Sequence, residues 1–305
     1  MGERERILAT PSPNTLESLH HDFAELGIAP GDTVLVHASL SSLGWVCGGP
    51  QAVILALLAA IRSPEKQGTL VMPAHSGDWS DPAEWRHPPV PPEWIPVIRE
   101  QMPAYDPALT PTRGMGAIPE LFRTFPGTHR STHPQLSFSA NGPLADEILS
   151  DHPLTPALGF DSPLGRLYGC GAKVLLLGVG YDVCTSFHLA ETRLPGMPAV
   201  RMGTAVTEHD IRTWKWFEDY DYDSDDFACL GAAFETGHPV RTGQVGMAQC
   251  RLFNLKTCVD FACEWLPAHR RDGRPMTPPV PEASMTPQDP AASNGDMQAP
   301  EAVKA

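Results

Sequence analysis

The chain has 305 residues, of which 42% are hydrophobic and 19% charged, with a formal net charge of −14. This is the composition of an ordinary folded protein with ample core, and it excludes the basic stripe that would meet nucleic-acid phosphates. An acidic surface concentrates small polycations, although the same surplus also serves solubility alone. The seven cysteines are odd in number and form no CxxC pair, which fits reduced thiols in a cytoplasmic protein. The opening residues, MGERERILATPSPN, contain no apolar signal segment, and the apolar run around 53–61 is too short to span a bilayer.

In chain order, residues 1–13 read as a loose leader. Leu16, Leu19, Phe23 and Leu26 recur at helical spacing, and Gly27 ends the helix over 15–26. A Pro30-Gly31-Asp32 turn precedes a short strand over 33–37. A small-residue loop, ASLSSLG (38–44), and then Gly48-Gly49-Pro50 lead into an apolar helix over 51–61. Such a strand–loop–helix unit can bring backbone N–H groups and hydroxyls to a phosphate. It is neither a GxGxxG nor a Walker loop. Residues 68–73 form a second strand, with His75 and Ser76 at its end. Residues 77–113 are rich in Pro and Trp without periodicity, as in an ordered binding loop. There Trp79, Trp85, Trp94 and Tyr105 either line a pocket or staple the loop to the core. A helix over 116–125, a strand over 136–140 and a short helix from Ser162 follow.

The stretch 173–193, KVLLLGVGYDVCTSFHLAETR, organises the remainder. Its apolar run 174–179 reads as a buried strand. The chain then turns through Gly178, Gly180 and Asp182, and Thr185 is placed to cap a helix starting near Ser186. His188 and Glu191, three apart, share one helix face. A helix N-terminus favours a neutral, proton-accepting histidine, and the acid can hold the imidazole in one tautomer. The same pair would also satisfy itself as a buried polar contact with no chemistry. Residues 200–207 and 211–217 suggest a hairpin, and FEDYDYDSDDF (217–227) holds six acids and no base. A helix over 227–236, a strand pair over 243–254 and a helix over 255–266 complete the pattern. From Pro267 onward the chain is Pro-, Ala-, Ser- and Met-rich and aperiodic, and 271–305 reads as a disordered tail. Short strands alternating with helices before a strand-rich half predict an α/β (α+β) fold. It would be one compact domain over 14–266 around a mixed sheet with flanking helices, followed by the tail 267–305.

The motifs LVHASLSSLGWVCGG, GTLVMPAHS, DPAEW, TPTRGMGAIPELFR, RSTHPQLSFSANGP, SPLGRL and LLLGVGYDVCTSFHLAE, with the acidic segment ending in Asp226-Phe227, are collinear. In this order they resemble the antibiotic (aminoglycoside) 3-N-acetyltransferase family, the acetyl-CoA-dependent enzymes distinct from the GNAT superfamily. The resemblance implies that His188 is the catalytic base and Glu191 its orienting acid. It places CoA against His37, Ser39, Leu40 and Ser41, and the pantetheine channel along Thr112, Arg113, Met115 and Gly116. It draws substrate-facing groups from Asp221, Asp223, Asp225 and Asp226, and from Trp79 and Glu84 in the aromatic loop. CoA and amine would meet in a cleft between two lobes. Cys184 stands where the resemblance leads one to expect a small polar Asn.

The implied reaction is direct acetyl transfer from acetyl-CoA to the 3-amino group of an aminoglycoside, with antibiotic resistance as its consequence. A neutral His188 would take the proton that the ammonium must lose. Backbone N–H groups of residues 39–41 or a nearby hydroxyl would stabilise the oxyanion. Direct transfer needs no acyl-enzyme, so Cys184 and Cys170 read as structural. If Asp226 faces the substrate, Asp226→Asn raises the KM for aminoglycoside more than that for acetyl-CoA. A metal-dependent hydrolase could draw on His37, His75, His129, His133 and His188, but no HxH or HExxH spacing occurs, and no metal is expected. A silent binder of cationic metabolites would have no need of a base. Acylation of a different amine remains a third reading.

Overall fold

A computed structural model describes residues 2–276. Its strands are β1 (Thr33–Ala38), β2 (Thr69–Pro73), β3 (His129–Arg130), β4 (Phe138–Asn141), β5 (Lys173–Leu177), β6 (Ala199–Glu208), β7 (Ile211–Tyr220), β8 (Arg241–Val245) and β9 (Ala248–Asn254), followed by two short ones, β10 (Arg270–Arg271) and β11 (Arg274–Pro275). Seven of them form one mixed sheet in the order β3-β4-β2-β1-β5-β9-β8. The central trio β2-β1-β5 is parallel and the flanking pairs are antiparallel. Parallel strands covered on both faces need apolar side chains at every position, which is why TVLVHA, TLVMP and KVLLL read as near-continuous apolar runs.

The helices are α1 (Glu3–Ala9), α2 (Leu16–Leu26), α3 (Gly49–Ala60), α4 (Ile95–Gln101), α5 (Ala117–Phe122), α6 (Ala145–Leu149), α7 (Pro163–Gly169), α8 (Ser186–Glu191), α9 (Phe227–Gly237) and α10 (Leu255–His269). Strand alternation divides the core. Val34, Val36, Leu70, Met72, Leu175 and Leu177 pack on one face with residues of α2, α3 and α5. Leu35, Val71, Val174 and Leu176 pack on the other with residues of α6 to α10. The result is the expected α/β class, in three layers. Among the described residues no helix is long and apolar enough to cross a membrane.

Both ends of the chain carry more structure than the sequence reading allowed. Within the expected loose leader, good helix formers build α1, and Thr10 Oγ1 accepts from Trp45 N at 2.8 Å. At the other end, α10 runs through Pro267 to His269. Arg270–Arg271 and Arg274–Pro275 then pair across the Asp272-Gly273 turn instead of opening a disordered tail. Burial of Arg270 draws this segment inward. The remainder of the expected tail, 277–305, lies outside the described residues.

The aromatic loop is ordered, as read. The β6–β7 hairpin holds it: Thr204 Oγ1 donates to Trp79 O at 2.6 Å, and Tyr105 N donates to Ala205 O at 2.9 Å. The indoles of Trp79 and Trp85 donate within the loop, to Pro103 O and Ser80 Oγ, so both staple it.

Sheet order locates the crevice. The chain leaves β1 for β2 on one side and returns through β4 to β5 on the other, which makes the carboxyl ends of β1 and β5 the topological switch point where open α/β sheets bind ligands. Ser39 N donates to Leu177 O at 3.0 Å across it. Gly178 turns the chain there with φ +68°, and a Cβ on it would lie 2.5 Å from Ser42 Cβ. Gly178→Ala is therefore expected to destabilise the fold by about 1–3 kcal/mol, read as a lowered urea midpoint. An unchanged midpoint would mean that the two loops part without cost.

Candidate active site

β5 hands the chain to α8 through a single 3-10 turn, Tyr181–Val183. Thr185 already has helical dihedrals and caps nothing with its side chain, contrary to expectation. The break between turn and helix falls one residue earlier, at Cys184 (φ −75°, ψ 89°), whose thiol is no match for a capping oxygen. The Thr185 hydroxyl instead lies 3.4 Å from His37 Nε2 at the end of β1. With six residues, α8 carries little dipole. The surroundings of His188 come from other groups: Glu191 on its own helix, and the rings of Tyr222 and Phe227 at 5.4 and 4.8 Å between centroids.

His188 is 15% exposed and Glu191 is fully enclosed, and His188 Nδ1 is hydrogen-bonded to Glu191 Oε2. An ionised carboxylate only accepts, so in the neutral ring this contact puts the proton on Nδ1 and the lone pair on Nε2. The other carboxylate oxygen, Oε1, accepts from Arg270 Nη1 and from Asp223 N. Arg270, fully buried, in turn donates from Nε to Asp226 Oδ2 at 2.8 Å and from Nη2 to Asp226 Oδ1 at 2.5 Å. Burial alone would lower the affinity of this guanidinium for its proton, but the bonds to Asp226 and Glu191 outweigh it and raise the pKa.

Two further histidines close the site. Burial, with the nearby His188 as a smaller cause, pushes His37 down to about 3. Burial pushes His75 at the end of β2 down to about 3 as well, aided by His188 and His37. Both are neutral at working pH. The loop after β1 gathers hydroxyls: Ser39 Oγ lies 3.1 Å from Ser41 Oγ and 3.0 Å from Ser42 Oγ, and Ser42 Oγ donates to Gly178 O at 2.9 Å. Leu40 opens the adjoining 3-10 turn. Residues 112–116 reach the same end of the sheet, since Arg113 N donates to His75 O at 2.8 Å. Thr112 is held by Glu120, Arg113 pairs with Asp78 at 3.0 Å, Met115 is half-buried, and Gly116 precedes α5 with φ +82°. His37, Ser39, Leu40, Ser41 and the helix that carries His188 thus lie together at the carboxyl ends of β1 and β5.

The acids divide differently from the expectation. Asp226 spends both oxygens on Arg270 and is 8% exposed, so it faces inward to a guanidinium. A buried arginine demands such a partner. Asp223 accepts from Asp225 N and Arg274 Nη1, and Asp221 pairs with Arg274 Nη2. Asp225 has its carboxylate in solvent. Glu84 is exposed at the end of the Pro82–Glu84 turn, and neither it nor Trp79 is bonded to the His188 network among the described residues. Sequence reading missed Asp219, which is 3% exposed with Oδ1 unpartnered, although strand alternation sets it apart from exposed Glu218. It also missed Arg270, whose partners lie 79 and 44 positions away. Among the described residues no group of three or more His, Cys, Asp or Glu is placed to hold a metal. Cys184 is fully buried at the foot of α8, and burial and its proximity raise the Cys258 thiol pKa.

The family model for aminoglycoside 3-N-acetyltransferase matches residues 35–267. The chain belongs to that family. In this family member, similarity extends over most of the chain. It is 48% identical over 260 residues to the SPbeta prophage-derived aminoglycoside N(3')-acetyltransferase-like protein YokD of Bacillus subtilis, covering 85% of this chain and 94% of that one. The crystal structure of YokD superposes with a TM-score of 0.83 at 47% identity, covering 86% and 96% of the two chains. Aminoglycoside N(3)-acetyltransferase VIII of Streptomyces fradiae is 38% identical, over 87% of this chain and 96% of that protein. A structure described as AAC-IIIb binary with CoASH has a TM-score of 0.73 at 34% identity, covering 83% and 96%.

Asp219 offers a check on these electrostatics. Burial pushes its carboxyl up to about 6, only partly opposed by backbone N–H groups of Tyr220 and Ala157. A raised carboxyl stabilises the fold fully below the ordinary aspartate range, and that contribution is lost as pH rises through about 6. Asp219→Asn is expected to melt roughly 2–5 °C above the parent at pH 7.5, with the gap closing at pH 4. A gap independent of pH would assign the effect to packing.

Proposed function

We propose that the protein transfers the acetyl group of acetyl-CoA directly to the 3-amino group of an aminoglycoside, with His188 as general base. The observation that carries this reading is the enclosed Glu191 carboxylate bonded to His188 Nδ1, which leaves Nε2 free to accept a proton. The relatives named aminoglycoside N(3)-acetyltransferases, and the neighbour solved with CoASH, support the same chemistry.

Acetyl-CoA supplies an acyl group activated as a thioester. The residues present fit it. Ser39, Leu40 and Ser41 offer hydroxyls and N–H groups at the carboxyl end of β1, and Thr112, Arg113, Met115 and Gly116 form a wall beside the end of β2. Arg113, more than half exposed, is a cation in an otherwise acidic protein and suits phosphate.

The substrate ammonium has no lone pair, so its nitrogen attacks only as a proton leaves. His188 Nε2 takes that proton, a contribution of about 10²–10⁴-fold for a well-placed base. The nitrogen then bonds to the thioester carbon, the C–S bond breaks, the CoA thiolate takes the proton held by the imidazolium, and the second proton on nitrogen passes to water. Glu191 holds the tautomer and stabilises the imidazolium as it forms. Ser39 N is spent on Leu177 O, so the N–H groups of Leu40 and Ser41, or a nearby hydroxyl, are the groups assigned to the developing oxyanion. Asp225, exposed, and the overall charge of −14 attract the polycation. Acetylation removes a positive charge from the drug, which is the basis for a resistance role, and use of acetyl-CoA supports the reading of a cytoplasmic activity.

Thiol release from acetyl-CoA, followed with a thiol dye against a panel of aminoglycosides, tests the reading. Release with one or more drugs, lowered about 10²–10⁴-fold in kcat by His188→Ala with CoA binding retained, is the expected result. Release that survives the substitution removes His188 as base. No release with any drug redirects the search to other amines.

A further inference from the structure

We propose that Arg270 and Asp226 are positioning residues of the catalytic base, forming with Glu191 a buried charge array behind His188. The inference rests on His188 being that base.

The guanidinium of Arg270 has five N–H donors, and the structure accounts for all of them. Nε reaches Asp226 Oδ2. Nη1 reaches Glu191 Oε1 and the carbonyl of Gly273, and Nη2 reaches Asp226 Oδ1 and the carbonyl of Asp223. No member of the array is more than 8% exposed behind the imidazole. Buried ion pairs of this kind are poor contributors to stability, since well-packed apolar residues commonly do as well. What the array does achieve is directional. Glu191 Oε1 is fixed by Arg270 and Asp223 N, so Oε2 is left with a single partner, His188 Nδ1. Without the guanidinium, Oε1 loses its anchor and the carboxylate is free to turn, which lets the imidazole adopt the wrong tautomer.

Charge counting assigns Asp226 its part. With neutral His188, Glu191, Arg270 and Asp226 sum to one negative charge. Once His188 has taken a proton, the four groups sum to zero. The array is therefore balanced in the state created when the amine gives up its proton. Replacing Asp226 by a neutral residue would leave Glu191 already cancelled by Arg270 and remove the excess that favours the imidazolium.

The other groups facing the imidazole do not change this count. His37 and His75, from the ends of β1 and β2, are kept neutral at about 3 by burial. Tyr222, from the segment before α9, has its phenol pushed up by burial and so keeps its proton. Asp223 uses its carboxylate on Arg274 and on Asp225 N, and Arg274 is shared with Asp221. This trio carries one further negative charge, which lies outside the buried array and is screened by solvent at Arg274 and Asp221. The segment that supplies Arg270 is itself anchored: Met276 N donates to His269 O at 2.9 Å across the short β10–β11 pair.

The test compares Asp226→Asn, Arg270→Met and the double variant Arg270→Met/Asp226→Leu with the parent. His188 titration is followed by NMR of labelled histidine, assigned with His188→Gln. The pH dependence of thiol release is measured alongside. In Asp226→Asn, the imidazole midpoint and the acidic limb of the rate profile are expected to fall together by roughly half to one pH unit. Its kcat falls while the KM for aminoglycoside holds within about twofold, which is the signature of a positioning residue. Arg270→Met lowers kcat about 10²-fold and moves the midpoint upward. The double variant carries the parent's net charge, so its midpoint returns toward the parent while kcat stays low. Should Arg270→Met fail to fold, Arg270→Lys keeps the charge but cannot span both acids, and it lowers kcat with the midpoint near the parent's. A lowered melting temperature in Asp226→Asn with midpoint and limb unmoved would overturn the proposal. So would a raised KM with kcat unchanged, which returns Asp226 to the substrate. If no protein releases thiol, the NMR midpoints still decide whether the array is coupled to His188, separately from the reaction.

Discussion

A carboxylate sealed from water must find partners for both of its oxygens, and in this protein Glu191 finds them in an imidazole on one side and a guanidinium on the other. That requirement ties together parts of the chain with little else in common. α8 supplies the acid and the histidine. The residues entering α9 supply Asp226, and the segment after α10 supplies Arg270. The loop between them contributes Asp223, through its N–H to Glu191 and its carbonyl to Arg270. Each of these bonds is made inside the core layer that covers one face of the sheet, so the layer closes only when the charges are matched.

The sheet decides where this matched set is displayed. Because β2 and β5 flank β1 on opposite sides, the connections leaving the carboxyl ends of β1 and β5 run to opposite faces of the sheet, a topological switch point. Gly178 lets the two loops approach closely, and the hydroxyls of Ser39, Ser41 and Ser42 gather against it. His37 and His75 enter from the ends of neighbouring strands, desolvated and neutral. The imidazole of His188 therefore sits among uncharged rings, with its formal charges arranged behind it. Much of the acidic run is used internally: Asp223 and Asp226 are tied to Arg274 and Arg270, and Asp221 to Arg274. The negative charge offered to a cationic ligand is correspondingly smaller than a tally of the run suggests.

How far the sequence could be read followed from the range of the interactions. His188 and Glu191 were legible because an i,i+3 pair on a helix is a local fact. The central strands were legible because burial on both faces writes itself as an apolar run. Thr185 was misjudged through the dihedrals of its own residue, which depend on how the preceding turn enters the helix. Asp226 was misread for a longer-range reason. Its acidic neighbours and interleaved aromatics resemble a cation-binding rim, and nothing near it in the chain announces an arginine 44 positions later. Arg270 itself stands among residues whose composition signals a loose end.

The sequence by itself determined the family, the α/β class, the central strands of the sheet and the adjacency of His188 and Glu191. Each is expressed in residues a few positions apart, where backbone geometry alone brings side chains together. Only the tertiary structure decided which acids are spent on arginines, which histidines are stripped of water, and what holds Glu191. Those outcomes depend on desolvation and on charges meeting across the core, and both arise only once distant segments have been packed against one another.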